Sequence, residues 1–217
     1  MSKSLIFLQN ILSNWSIVLL NIVIVFFTFP IAFNKLSYEL FGIFVMFSSF
    51  VQLTGILDLG LKNYLQKNTS IFHRDRNFEN IQLAFISALN TLWKIILFFI
   101  LLLIVFYFLS SSIFNYTLEN EAILKYVIFF GLINAFITLI KEFIAAIFYG
   151  VEKIYILNLF TSICLLLKIP LFYFFQEDLV DFQGLVRNLF LLHFLEVLFA
   201  FIYIFKYFYK QGVRLNF

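Results

Sequence analysis

Four residues, Ser87, Asn90, Thr91 and Lys94, fall at i, i+3, i+4 and i+7. On a helix that spacing sets all four side chains on one face. A lysine binds phosphate as a compact point charge, and the amide and hydroxyls beside it can hydrogen-bond a sugar. Other stretches repeat the pattern. Asn14, Asn21 and Thr28 recur every seven residues, Ser48 and Gln52 lie one turn apart, and Asn134, Thr138 and Lys141 fall at i, i+4 and i+7 with Glu142 alongside. Asn158, Thr161 and Ser162 precede Lys168, which is followed by Pro170, and the last such group is Arg187, Asn188, His193 and Glu196. A candidate site follows from these types: Lys94, Lys168, Arg187, Asn90 and Asn134 as a cationic, substrate-binding cavity, with Asp58, Glu142 and Glu196 as coupling or ion-pairing carboxylates.

The elements that must position these residues are set by composition. Of 217 residues, 63% are hydrophobic and 12% charged, with mean hydropathy +1.00. Soluble domains carry about 25% charged residues, so half the charge needed for a water-facing surface is missing and the chain belongs in a bilayer. Thirty-four Phe against seven Gly and two Pro exclude collagen-like and disordered classes. One cysteine, Cys164, excludes a disulfide framework and a multi-cysteine metal site. In lipid the backbone must bond to itself, as helices or a closed barrel, and unbroken apolar runs such as 95–109 lack the alternation of barrel strands.

The expectation is therefore an all-α, polytopic membrane protein: one lobe over 1–217 with six transmembrane helices, at about 14–33, 40–61, 82–109, 122–149, 154–175 and 185–207. The first is too long for a cleavable signal and lacks a small-residue cleavage site. Connectors of about 4–20 residues leave no room for a soluble domain, and the longest, about 62–81, reads as a basic loop around His73, Arg74, Asp75 and Arg76. Basic residues are retained on the cytoplasmic side. With both termini in the cytoplasm, Lys3, Lys62, Lys67, Arg74, Arg76, Lys141, Lys153, Lys206, Lys210 and Arg214 fall at or near that face, leaving Lys35, Lys125 and Arg187 outside.

Each polar residue also has a plainer role. Asn, Ser and Thr tie membrane helices together by hydrogen bonds worth about 0.6–2 kcal/mol each. Lys125, Arg187 and Lys141 lie near helix ends and can snorkel, which is the better account of Lys141. Lys94 and Lys168 are deeper, where a lysine costs on the order of 2.5–3.5 kcal/mol, and either face a hydrated cavity or pair with Glu142, Glu196 or Asp58. His193 and Glu196, one turn apart, read as a hydrogen-bonded pair rather than a metal site. No nucleophile–base pair, zinc-protease motif, phosphate-binding loop or dinucleotide turn occurs, so neither an enzyme nor a metal or other cofactor is expected. The basic residues follow topology rather than a groove interleaved with aromatics, which argues against nucleic acid.

The run Glu39-Leu40-Phe41-Gly42-Ile43-Phe44, followed by Ile56-Leu57-Asp58-Leu59-Gly60-Leu61 and the basic stretch from Lys62 to Arg76, resembles the opening of Wzx-type polysaccharide flippases of the multidrug/oligosaccharidyl-lipid/polysaccharide superfamily. The junction Phe148-Tyr149-Gly150-Val151-Glu152-Lys153-Ile154-Tyr155-Ile156-Leu157-Asn158 is similar to that family's turn between its fourth and fifth helices. The resemblance implies export of a polyprenyl-diphosphate-linked oligosaccharide across the bacterial plasma membrane, the head crossing a cationic cavity while the tail stays among membrane lipids. Members have a dozen or more helices in two lobes. By that comparison the chain is expected to be an N-terminal half, completed by a second lobe or by a second copy of itself. Two rivals remain: half of a multidrug-and-toxin-extrusion type cation antiporter, whose cavity carboxylates would dominate, and a non-transporting membrane scaffold whose stripes serve packing alone.

Overall fold

In the computed structural model, residues 3–57, 60–113, 118–174 and 179–211 are described. They form seven helices: α1 Lys3–Lys35, α2 Tyr38–Leu57, α3 Leu61–Arg74, α4 Phe78–Ile113, α5 Leu118–Gly150, α6 Ile154–Tyr173 and α7 Leu179–Lys210. Five carry stretches long and apolar enough to cross a membrane, namely Ser4–Lys35, Phe78–Leu97, Ala122–Gly150, Ile154–Tyr173 and Phe182–Lys210, and a shorter apolar stretch, Tyr38–Ser49, lies in α2. Outward-facing side chains are themselves apolar: Phe26 is 75% and Phe108 73% exposed, which only a lipid surround makes tolerable. The chain is an all-α polytopic membrane protein.

The segment expected as a basic loop is mostly helical. Gly60, at φ 80°, takes a left-handed conformation that side chains resist, and α3 starts directly after it. At the other end the Asn77 amide donates to the Phe72 carbonyl (2.8 Å) and the Arg76 amide to the His73 carbonyl (3.2 Å), with Arg76 at φ 55°. This is a Schellman turn closed without glycine. Asn77 then caps α4, its Oδ1 accepting the Asn80 amide at 3.2 Å. The same turn recurs after α5, where Lys153 bonds Phe148 (2.8 Å), Glu152 bonds Tyr149 (3.1 Å) and Glu152 sits at φ 59°. Ser37 caps α2 through the Leu40 amide, at 3.4 Å.

α5 is the central post, touching α2, α3, α4, α6 and α7, while α1 packs chiefly on α6. Two apolar cores lie along it. One joins α3, α4, α7 and the α5 residues Leu139, Phe143, Ile144, Ile147 and Phe148. The other joins α2, α7, Ala32 of α1, Leu36 just after it, Phe172 of α6 and the α5 residues Ile123, Leu124, Val127, Ile128 and Ala135. At the first core's end, α3 crosses α5 so closely that a Cβ on Gly150 would lie 2.5 Å from the Thr69 side chain. Between the cores α5 carries Thr138 and Lys141, and there the polar residues of α1, α6 and α7 converge.

Candidate functional site: a polar groove beneath the first helix

The inner stripe of α1 fixes one wall. Asn10 accepts the Tyr155 amide (3.3 Å) and donates to the Glu152 carbonyl (3.0 Å). One turn later Asn14 Oδ1 accepts from Asn158 Nδ2 (2.6 Å) and from the Tyr149 hydroxyl (3.3 Å), and Asn158 also donates to Ser13 (3.1 Å). At the far end Lys35 donates to the Tyr173 carbonyl at 2.8 Å. Contacts at 10–155, 14–158 and 35–173 make α1 and α6 run parallel. Between these clamps side chains leave space.

That space is a chain of three cavities. The first, about 320 Å³, is lined by Asn14, Lys62, Lys141, Glu142, Tyr149, Asn158 and Thr161 among others. The second, about 390 Å³, shares Lys141 and Thr161 with it and adds Asn21, Thr138, Cys164, Lys168, His193 and Glu196. The third, about 350 Å³, shares Asn21, Lys168 and His193 and adds Thr28, Ser48 and Asn134. The shared residues make one groove, which the seven-residue stripe of α1 follows from Asn14 to Thr28. Asn21 lines two of the cavities and is itself exposed, so the groove opens beside α1.

The ionisable groups are arranged in pairs. Glu196 is 3% exposed and accepts from Lys141 at 2.6 Å and from the Thr161 hydroxyl. Lys62 of α3 pairs with Glu142. Lys168 Nζ lies 3.1 Å from His193 Nε2. An ammonium only donates, so the lysine leaves the imidazole Nε2 as acceptor and the ring proton on Nδ1. No carboxylate is recorded within ion-pair distance of Lys168, so its charge is the groove's one cation with a neutral partner among the described residues. Asn134, buried to 1% exposure, has its Oδ1 without a partner and lines the same cavity as Lys168.

Several sequence expectations change here. Lys168 and Asn134 come together, but Lys94 and Asn90 stand exposed on α4, away from the groove, and Arg187 is exposed on α7. The cavity expected to hold both Lys94 and Lys168 holds Lys168 alone, because α4 buries its alanine-rich face instead. Lys141 does not snorkel; it turns inward to Glu196. His193 and Glu196 each bond a different lysine rather than each other. Glu142 is satisfied by Lys62, and Asp58 lies outside the described residues. Sequence reasoning missed Tyr149, Ser13 and Asn10 as braces of α1; the amides at 10 and 14, one turn apart, were the available signal.

Comparison with protein-family models, with characterised proteins and with solved structures gives no match. The class defined by the fold and the apolar helices is a polytopic all-α membrane protein.

Proposed function

We propose that this chain is one half of a bacterial plasma-membrane transporter that carries a polyprenyl-diphosphate-linked oligosaccharide to the outer leaflet. The observation that carries the reading is Lys168: a lysine amid membrane helices, held by a neutral histidine, in a groove of hydroxyls and amides open beside α1. Such a charge is positioned for a diphosphate, the polar stripe suits sugar hydroxyls, and the opening leaves the polyprenyl tail in lipid. A cation-antiporter half is less favoured, because among the described residues the two carboxylates in the groove, Glu142 and Glu196, are already neutralised by lysines. A pure scaffold would leave Lys168 and the open cavities without a use.

Orientation follows from charge. Contacts at Asn10–Tyr155, His73–Tyr207 and Lys153–Tyr207 gather one end of the bundle, which carries Lys62, Lys67, Arg74, Arg76, Lys153, Lys206 and Lys210. The positive-inside rule supports a cytoplasmic position for that end, where α1 begins and α7 finishes.

The test is binding by the purified protein, followed by native mass spectrometry, of undecaprenyl diphosphate against undecaprenol. Wild type is expected to prefer the diphosphate at least about tenfold, a difference of about 1.4 kcal/mol, and Lys168→Met to remove the preference while Lys94→Met keeps it. Equal retention of both lipids by wild type overturns the reading.

A further inference from the structure

Lys168 and His193 stand on the border of two cavities. Both line the second cavity, with Lys141, Cys164 and Glu196, and both line the third, with Asn21, Ser48 and Asn134. The 3.1 Å contact between Lys168 Nζ and His193 Nε2 joins α6 to α7 at that border. Because the ammonium can only donate, the contact requires an imidazole with its lone pair free on Nε2. The pair as it stands therefore carries one positive charge.

The groups around the pair decide what a second proton would meet there. Lys141 of α5 and Glu196 of α7 lie 2.6 Å apart, so their charges cancel. α6 adds only the Cys164 thiol, and the polar side chains brought to the third cavity by α1, α2 and α5, Asn21, Thr28, Ser48 and Asn134, are neutral. Protonating Nε2 ends its role as acceptor and sets two cations side by side with nothing among the described residues to balance them. Without an anion that step is opposed twice, by repulsion and by loss of the hydrogen bond.

A diphosphate seated on Lys168 reverses the balance. Its negative charge outweighs that of the one ammonium, so an imidazolium beside it is attracted rather than repelled. The N–H formed on Nε2 can donate to a phosphate oxygen or to Asn134 Oδ1, which is buried, lacks a hydrogen bond and lines the same cavity.

We propose that His193 takes up a proton when an anion binds at Lys168, so that the loaded groove holds a diphosphate between an ammonium and an imidazolium. The proton comes from water and rests on Nε2, and the Lys168–His193 hydrogen bond breaks as it arrives. Linkage is reciprocal: a proton on His193 tightens the anion by the same factor as the anion tightens the proton. This inference rests on the reading of the groove as a diphosphate site, and it names the proton as the ion that binds with the cargo.

The probe is farnesyl diphospho-N-acetylglucosamine, whose diphosphate is esterified at both ends and keeps its charge over the pH range used. Calorimetry on the purified chain, in buffers of different ionisation enthalpy, should show uptake of about one proton per probe bound. The dissociation constant should fall about tenfold between about pH 8 and about pH 6. His193→Gln, which offers Lys168 an acceptor but cannot titrate, should flatten the profile and abolish the uptake. Tightening that persists in His193→Gln belongs to another group and overturns the proposal, as does wild-type binding without proton uptake. In the His73→Phe variant His193 is the one histidine left, and its ring-nitrogen resonances should move from the neutral to the charged position when the probe is added. Resonances that stay neutral in the bound protein overturn the proposal equally. Absence of binding at every pH, or binding that Lys168→Met does not weaken, overturns the reading of the groove itself and the proposal with it.

Discussion

Lys141 Nζ lies 2.6 Å from Glu196 Oε1, joining the middle of α5 to the middle of α7 beneath the groove. Thr161 of α6 donates to the same oxygen, so three helices meet at one carboxylate. Side-chain exposure of 21% for the lysine and 3% for the glutamate means that water does little to screen the pair. The pair fixes the groove floor in place, and it leaves Lys168 as the group available to a ligand. Structural and ligand-facing cations are thus separated by seven residues of height along α6, from Thr161 to Lys168.

A buried pair costs more to break than to delete. Glu196→Leu alone leaves Lys141 unpaired and is expected to lower stability by about 3–5 kcal/mol. Lys141→Met with Glu196→Leu removes both charges, and Thr161 can turn to the carbonyl one turn before it. The double variant is expected to lose less than half as much. Thermal unfolding in detergent, run as a double-mutant cycle, checks this; equal losses in the single and double variants would show that the lysine does not depend on Glu196.

The α3–α5 crossing should be equally sensitive to one methyl group. Gly150→Ala places a Cβ 2.5 Å from Thr69 Cβ and Cγ2 and 3.1 Å from the Gln66 carbonyl, so backbone must move. The expected loss is about 1–3 kcal/mol. Gly42→Ala is the control, since nothing lies within 4 Å of its added Cβ in α2. Replacing a helical glycine by alanine there should gain about 0.5–1 kcal/mol. Melting temperatures that shift the same way in both variants would refute the close crossing.

Membrane class, five of the spans and the stripe of α1 were legible because lipid punishes charge and the heptad spacing of Asn14, Asn21 and Thr28 survives folding unchanged. The helix α3 was not, because its C-terminal end is closed by a left-handed arginine at 76 rather than by the glycine that usually marks such a turn. The groove was legible in part. Spacing shows that Lys94 and Asn90 share a face, but not which way the face points, and α4 turns it outward. Lys168 and Asn134 lie on different helices, so their meeting depends on the crossing of α5 and α6 around α7, which no local pattern encodes.

His73, between α3 and the end of α7, should make stability depend on pH. Burial holds its pKa below the ordinary histidine value; Glu152 opposes that shift and Lys153 adds to it. Tyr207 faces it, with its hydroxyl 3.5 Å from Nδ1, and Phe78 packs against the ring. The folded state therefore binds a proton less readily than the unfolded chain does. By linkage, the stability that depends on a neutral His73 is fully present above the unfolded pKa of about 6.5 and declines as pH falls below it, until the lowered folded-state pKa is passed. Melting temperature in detergent is expected to drop as pH falls below about 6.5, and His73→Phe, which keeps the ring and cannot titrate, to flatten that segment of the curve. A wild-type profile with the same slope as the variant's over that interval would show that His73 takes up its proton equally well folded and unfolded.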